Sequence, residues 1–578
     1  MRYFGRMIKM SLRDQTGVTL LILALNIVQV LLELGYTMFF GAVTNDVVGG
    51  QGNLYVHLAL LVLVLIGRDL GNGLSNYYFD KQNMGITRSV SRAFFEKIQG
   101  YPLLYFEDPK RRDRINSAQT GIEACGAYLM TLEVILSFQG VYLLSMSAYF
   151  MAVDPLLFVV ILGALLPELF RFRVKNRSQE QMEQNIVTQR RRLDHDEQAI
   201  YAQKFAKETR VLEAISFFEK RCQSALSYIK RERRQALHKD TRWSLLVQCS
   251  YLLGFIAIIG VVIFLVMQGR IGVGEISMVM VATATIYSTL REMFEGHLLQ
   301  VNSCRYAVKL VFEVLEEPLP PADVEEKSVE TQTENVLELR HVSFRYPEGT
   351  ESVLKEISLR IRQGETIALV GENGSGKTTL GKVLAGFYPP EQGDVLWNSK
   401  QCTEGYLKRC SYVFQDYNMY AVSLAENIRI GDLTAPRARE RAVLDTPEMR
   451  EICTGLPQGE NTIISKDFGG MALSGGQEQQ VAIARSDMKQ APFYIFDEPT
   501  AAIDPMREMD LMKQMLGKKR QAGVLLITHR IGIAMLVDQI LVLKEGRIVQ
   551  RGSHQELMRE EGEYKRLFEA QSQWYQQK

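Results

Sequence analysis

This sequence has almost no net charge and no pattern typical of a disulfide framework or a metal centre. Its 67 Lys and Arg residues balance 66 Asp and Glu residues, which leaves a net charge of +1 over 578 residues. That balance gives no broad basic surface, so we expect no nucleic-acid partner. The seven cysteines form no CxxC pair and do not cluster with histidines, so we expect reduced packing residues.

The N-terminal segment also lacks the pattern of a cleavable signal sequence. MRYFGRMIKMSLRDQTG leads into an apolar stretch longer than a signal core, and no convincing cleavage site follows it. Internal repeats and low-complexity segments are missing as well. We therefore expect no cleaved leader and no repeat architecture.

The first half of the chain contains six apolar segments, each about the ~20 residues that a helix needs to cross a bilayer. The last segment is weak, and by itself it is equally typical of a buried helix in a soluble protein. The sequence predicts six membrane-spanning helices, near 17–42, 54–79, 128–150, 153–172, 245–267 and 273–290.

The charges in the loops predict how these helices are oriented. The loops TNDVVGGQGN and MAVD, after the first and third spans, contain no Lys or Arg, whereas the segments on the other side are rich in both. By the positive-inside rule, both termini are expected in the cytoplasm, with the chain in the cytoplasmic membrane. The long connections 80–127 and 173–244 are polar with helical apolar spacing, which predicts helices extending beyond the membrane.

At LEEPLPPADVEEKSVETQTEN (315–335) the chain becomes acidic and loses its apolar periodicity, which is typical of a linker. Beyond it, segments such as SYVFQ, PFYIFDEP and AGVLLITHR read as strands separated by helices. They predict an α/β domain with a largely parallel core and an antiparallel N-terminal part. The predicted limits are a helical membrane domain over 1–316, a linker over 317–334 and the α/β domain over 335–578.

GENGSGKTTL (371–380) follows the strand ETIALV and opens a helix, the context in which G-x-x-x-x-G-K-[ST] forms a phosphate-binding loop. The glycines let backbone N–H groups approach phosphate oxygens, Lys377 can reach the β- and γ-phosphates, and Thr378 can offer its hydroxyl to Mg²⁺. The predicted nucleotide-binding residues of the loop are Gly371, Asn373, Gly374, Ser375, Gly376, Lys377, Thr378 and Thr379.

The apolar strand in FYIFDEPT (493–500) ends in two carboxylates. Asp497 could belong to the Mg²⁺ shell, while Glu498 could orient or deprotonate water. His529 in LLITHR also ends a strand, where it could touch the γ-phosphate or position that water. Alone these residues would be ordinary, but about 120 residues after a phosphate loop they predict a catalytic site.

LSGGQEQQVAIAR (473–485) has glycines and a serine before a predicted helix, yet no lysine to meet a phosphate. With the phosphate loop and DEPTAAID, it resembles the nucleotide-binding domain of ABC transporters, and the preceding membrane half resembles the exporter arrangement. The resemblance implies ATP and Mg²⁺ as cofactors. It also explains the missing lysine, because this signature motif completes the ATP site of the opposite subunit. The residues implied to act there in trans are Leu473, Ser474, Gly475, Gly476 and Gln477.

The same resemblance assigns roles to three further residues. Tyr346 in FRYPEG is implied to stack on adenine, and Gln415 in YVFQD to contact both Mg²⁺ and the membrane half. Asp504 in AAID is implied to link the two sites across the dimer. In the membrane half, 105–118 and 206–221 resemble cytoplasmic coupling segments of a bacterial exporter branch that includes lanthipeptide exporters.

We therefore expect a half-transporter: six membrane helices and one ATPase domain, paired with a second copy. A homodimer is favoured because Lys377, Glu498, His529 and the full LSGGQ motif are all intact. The branch resemblance favours a peptide as the exported substrate. The alternatives are a lipid or an amphipathic drug, uptake of a siderophore by an exporter-like fold, or an ATP-gated channel or regulator.

Overall fold

The computed structural model describes residues 2–49, 53–319, 335–347, 349–401, 409–499 and 521–576, together with 509, 512, 513 and 515–517. Its contacts divide the chain into two compact units. One consists of Met1–Gln99 and Arg114–Pro318, and the other of Gly100–Asp113 and Leu319–Lys578. The predicted limits placed 100–113 in the membrane domain, whereas its contacts group it with the second unit. Most of the predicted linker, 320–334, lies outside the described residues.

The first unit is built from long helices. They are α1 (Arg2–Asp14), α2 (Thr16–Gly49), α3 (Leu54–Gln99), α4 (Pro109–Thr120), α5 (Ile122–Glu133), α6 (Gly140–Val153), α7 (Pro155–Tyr201), α8 (Gln203–Val211), α9 (Ile215–Met267), α10 (Val273–Arg291) and α11 (Leu298–Glu316). The start of α4 belongs to the second unit. Helix α7 begins where Pro155 supplies a suitable φ and the Asp154 carboxylate accepts the Leu156 N–H at 2.8 Å.

Four helical segments of the described residues are long and apolar enough to cross a membrane: Thr16–Gly49, Leu54–Gln99, Ile122–Val153 and Ile215–Met267. The predicted spans 17–42, 54–79, 128–150 and 245–267 fall within these four segments. The prediction 153–172 falls on α7, whose apolar stretch Pro155–Ala164 is shorter, and 273–290 falls on α10. Those two spans stay predictions. The connections are helical as predicted, because α3, α7 and α9 continue far past their apolar parts.

Two kinds of contact hold the first unit together. An apolar cluster joins Tyr142, Met146 and Phe150 of α6 to residues of α7, α9 and α10. A polar cluster lies where α1, α2, α3 and α5 meet, and its centre is the buried Gln82. Its Nε2 donates to Glu133 Oε1 at 3.1 Å and to Ser11 Oγ at 3.2 Å, and Ser11 Oγ lies 2.7 Å from Thr19 Oγ1. Large apolar side chains such as Leu70 remain exposed on the outside, as expected of a surface that meets lipid.

The second unit contains two sheets. An antiparallel sheet has the order β2–β1–β4–β5, with β1 (Val336–Phe344), β2 (Leu354–Arg362), β4 (Gln392–Trp397) and β5 (Lys400–Gln401). The other has the order β10–β9–β3–β8–β7–β6, with β3 (Thr366–Val370), β6 (Cys410–Val413), β7 (Phe493–Asp497), β8 (Gly523–Ile527), β9 (Gln539–Lys544) and β10 (Arg547–Gly552). It is parallel from β9 to β6, and β10 is antiparallel. The predicted α/β fold is thereby confirmed.

Helices cover this unit: α12 (Lys377–Leu384), α13 (Leu424–Arg429), α14 (Arg437–Leu444), α15 (Pro447–Thr454), α16 (Gly475–Met488), α17 (Ile531–Ala534), α18 (His554–Arg559) and α19 (Glu563–Gln576). Strands β7 and β8 are buried at every residue, which explains their continuous apolar sequences. Because β3, β8 and β7 are parallel neighbours, their carboxyl ends meet at one edge, the usual place for a ligand in such a sheet.

Candidate nucleotide-binding site

The loop between β3 and α12 has a backbone that glycine makes possible. Gly374 and Gly376 have φ values of 80° and 102°, which favour glycine over residues with a side chain. At Gly371 a Cβ atom would lie 2.2 Å from the Leu543 carbonyl oxygen, so the chain there packs too closely for a side chain. The loop leads directly into the N-terminus of α12, where free N–H groups favour an anion.

Lys377 stands at the start of α12, and its ammonium folds back over the loop. Nζ donates to the carbonyl oxygens of Gly371 and Glu372, both at 2.9 Å. Burial lowers the pKa of Lys377, and the nearby carboxylates of Glu498 and Asp497 oppose that shift. The buried Ser375 Oγ has no hydrogen-bond partner among the described residues. A cation and an unused hydroxyl beside a glycine cradle fit a phosphate group.

Asp497 is the last residue of β7, and each of its carboxylate oxygens has a partner. Thr378 Oγ1 donates to Oδ1 at 3.2 Å, and Tyr412 Oη donates to Oδ2 at 2.9 Å. Burial raises the pKa of Asp497, while these two hydrogen bonds act to lower it. A carboxylate beside a threonine hydroxyl at a phosphate loop supplies the oxygen ligands that suit Mg²⁺.

Glu498 follows directly, and its backbone has a φ of 46°, an unusual value for a residue with a side chain. Its N–H donates to the Ile527 carbonyl at 3.0 Å, which fixes this conformation against β8. The carboxylate is held from two sides: Gln415 Nε2 donates to Oε2 at 2.9 Å, and His529 Nδ1 lies 3.1 Å from Oε1. The structure thus brings together three of the predicted site residues.

Tyr346 lies beside the first turn of α12. Its Oη is 3.1 Å from Thr379 Oγ1, and its ring meets Phe344 edge-on with centroids 5.1 Å apart. It also lines an open pocket together with Pro347 and Pro389. An aromatic ring beside a loop threonine is compatible with the predicted adenine contact.

The signature motif forms the start of α16. Ser474 is the N-cap: its Oγ accepts the Gln477 N–H at 3.4 Å, while Gln477 Oε1 accepts the Ser474 N–H at 3.0 Å. Leu473 is buried and anchors the motif, whereas Ser474 and Gly475 are exposed and Gly476 is half-buried. The helix start is therefore open. Asp504 lies outside the described residues.

Two contacts of the site were not predicted from the sequence. The first is that of Tyr412 on β6 with Asp497. The one sequence feature that pointed to it is that a tyrosine in a predicted core strand needs a hydrogen-bond partner for its hydroxyl. Glu107, in the predicted coupling segment 105–118, accepts a hydrogen bond from Tyr388 Oη and lies 3.6 Å from Lys382 Nζ of α12. Residues 100–113 thereby contact the helix that follows the phosphate loop.

Comparisons with known proteins agree with this geometry. Residues 354–501 match the protein family described as ABC transporter. The chain is 28% identical over 525 residues to the ATP-dependent lipid A-core flippase of Aromatoleum aromaticum, covering 88% of this chain and 84% of that relative. It is 37% identical over 277 residues to the flippase of Alkalilimnicola ehrlichii, covering 47% of this chain and 46% of the relative.

One solved structure is similar over nearly the whole length. It is a bacterial Atm1-family ABC exporter with ATP bound, with a TM-score of 0.75 and 21% identity. The match covers 97% of this chain and 98% of that one. At this identity the likeness establishes the fold.

Proposed function

We propose that the chain is an ABC transporter of the exporter type, with a membrane domain fused to an ATPase domain. Two copies form a homodimer that moves a lipid across the cytoplasmic membrane. The observation that carries the ATPase part is the convergence of Lys377, Asp497 and Glu498 at the carboxyl edge of one parallel sheet. Both termini and the nucleotide-binding domain would lie in the cytoplasm, as the loop charges favour.

Some residues of the site bind the nucleotide and Mg²⁺, and others act in proton transfer. The glycine loop and Lys377 bind the β- and γ-phosphates. Thr378, Asp497 and Gln415 would hold Mg²⁺, which neutralises charge that develops on the transferred phosphoryl group. Glu498 accepts a proton from the attacking water, and the contacts with Gln415 and His529 keep its carboxylate in place.

The signature motif supports assembly of two chains. The exposed Gly475 and the half-buried Gly476 offer N–H groups at a helix start but no cation, so the motif suits a phosphate that another residue already neutralises. In a homodimer, Ser474 and Gly476 of one copy would meet the γ-phosphate bound by Lys377 of the other. Every site would then be complete, because the chain retains each element.

Ser474→Arg tests this arrangement. The variant should still bind ATP but lose turnover by about 100-fold or more, because a bulky cation blocks the second half of the site. The matched control is Ser553→Arg, which removes the same kind of N-cap from α18 and should keep turnover. Both variants are compared in lipid nanodiscs by nucleotide binding, phosphate release and particle mass. Full turnover by Ser474→Arg, or active particles containing one chain, would overturn the proposal.

The names of the similar proteins favour a lipid as the substrate, since the flippases are ATP-dependent and act on lipid A-core. A peptide is the second candidate, favoured by DFGGMALSGGQ and DEPTAAIDP, which resemble the lanthipeptide exporter branch. The names of the relatives and these motifs favour different substrates, so the choice needs a direct assay.

Proteoliposomes provide that assay. The chain is reconstituted with a fluorescent lipid A-type glycolipid, and its movement between leaflets is followed with ATP, with Glu498→Gln as the inactive control. We expect ATP-dependent movement and stimulation of ATPase activity by the glycolipid. Stimulation of ATPase activity by peptides and not by the glycolipid would favour a peptide as the substrate. ATP-driven uptake by the wild type, or passive flux through Glu498→Gln, would contradict export.

A further inference from the structure

Tyr412 contacts the Asp497 carboxylate from the neighbouring strand. Strands β6 and β7 are parallel, with Tyr412 paired to Ile495 and Val413 to Phe496. This register lets the long tyrosine side chain reach Asp497 at the carboxyl end of β7, where Oη donates to Oδ2 at 2.9 Å. Thr378 Oγ1 donates to the other oxygen at 3.2 Å. Two neutral hydroxyls thus hold one carboxylate, each at its own oxygen.

The space for this hydroxyl depends on Gly381 in α12. A Cβ atom at that position would lie 3.0 Å from Tyr412 Oη and 2.6 Å from Ile527 Cδ1. The ring itself packs against Phe387 and Phe414, with centroids 5.2 Å and 4.5 Å away. Helix, strand and aromatic neighbours therefore fix the tyrosine before any ligand arrives.

We propose that Tyr412 is a positioning residue for the Mg²⁺ shell, because its hydrogen bond to Oδ2 keeps Asp497 Oδ1 directed at the Thr378 hydroxyl. This inference rests on the proposed function and adds a residue to its metal site. A carboxylate that is already oriented loses less rotational freedom when it joins a metal shell, so the metal binds more tightly. Tyr412 itself contacts neither nucleotide nor metal in this arrangement.

The test is Tyr412→Phe in the full chain in nanodiscs. Binding of a fluorescent ATP analogue is measured in EDTA, and Mn²⁺ affinity of the nucleotide-loaded protein is measured by electron paramagnetic resonance. We expect nucleotide binding in EDTA to stay unchanged and Mn²⁺ affinity to fall about three- to tenfold, the range expected for one neutral hydrogen bond. The Mg²⁺ dependence of ATP hydrolysis should move to higher concentration, and saturating Mg²⁺ should restore the rate.

The matched control is Tyr494→Phe on β7. It also removes a buried hydroxyl, one that donates to the Lys489 carbonyl oxygen at 2.7 Å, but that contact lies at the opposite end of the strand. It should leave Mn²⁺ affinity unchanged. Gly381→Ala is a second variant that crowds the hydroxyl without removing it, and it should weaken Mn²⁺ binding in the same direction.

The inference is overturned if the wild type binds Mn²⁺ and hydrolyses ATP while Tyr412→Phe has the same Mn²⁺ affinity. It is also overturned if nucleotide binding in EDTA falls as much as metal binding, because that would indicate a general structural loss. A wild type that shows neither nucleotide binding nor hydrolysis would instead contradict the proposed function.

Discussion

The two units of the chain use buried polar side chains in different ways. In the helical unit, Gln82 and Glu133 bond to each other, and Ser11 and Thr19 complete a cluster among four helices. In the second unit, the half-buried Thr378 donates to the buried Asp497 at the carboxyl edge of a sheet, where a ligand is expected. We propose that the first pattern stabilises helix packing and that the second orients groups for a ligand. Substitutions in each unit should therefore have separable effects on stability and on turnover.

The largest expected effect comes from Lys377→Ala. Nothing else in the glycine loop supplies a cation to the phosphates, so ATP hydrolysis should fall by about 100- to 1000-fold, as for loss of a charge-stabilising donor. The matched control is Lys489→Ala, which removes a half-buried lysine whose Nζ also donates to a backbone carbonyl, that of Cys410. Phosphate release and thermal unfolding are measured for both. Equal losses of turnover in Lys377→Ala and Lys489→Ala would show that Lys377 has no specific role in hydrolysis.

His529→Ala should have a smaller effect on hydrolysis. Its Nδ1 lies 3.1 Å from Glu498 Oε1, so its removal frees one side of the carboxylate while Gln415 still holds the other. We expect a loss of about 10- to 100-fold in turnover with little change in ATP binding, as for a misplaced catalytic group. His554→Ala is the control, since His554 Nδ1 bonds Tyr564 Oη outside the site. Unchanged turnover in His529→Ala would show that His529 does not contribute to hydrolysis.

Gln82→Ala tests the helical unit and should leave the chemistry almost intact. It removes the donor for three acceptors, Glu133, Ser11 and Thr19, so it should destabilise the unit by about 1–3 kcal/mol. The exposed Gln223 provides the control, because Gln223→Ala removes a 3.3 Å surface contact with Glu219. Thermal unfolding in nanodiscs separates the two. A large loss of ATP binding in Gln82→Ala would contradict the expectation that substitutions in the two units have separable effects.

The sequence predicted the second unit in detail because phosphate chemistry demands fixed local spacing. Gly374, Gly376 and Lys377 are close in sequence, and a strand and a helix flank them, so their geometry follows from local structure. Glu498 and His529 could be placed because parallel strands bring their carboxyl ends together.

Other contacts could not be predicted because they depend on which elements become neighbours. Tyr412 and Asp497 are 85 residues apart, and they meet only because β6 pairs with β7. Gln82 and Glu133 are 51 residues apart on helices that carry no motif. The grouping of Gly100–Asp113 with the second unit likewise depends on contacts such as Glu107 with Lys382.

ATP hydrolysis by the purified chain alone in lipid nanodiscs, compared with Glu498→Gln, tests the central claim most directly. Glu545→Gln is the control, because Glu545 is another glutamate with a positive φ, 49°, in the turn between β9 and β10. We predict that the wild type and the control hydrolyse ATP. Glu498→Gln should bind ATP but hydrolyse it at least about 100-fold more slowly. If the wild type binds ATP and does not hydrolyse it, the chain is not a self-sufficient homodimeric ATPase.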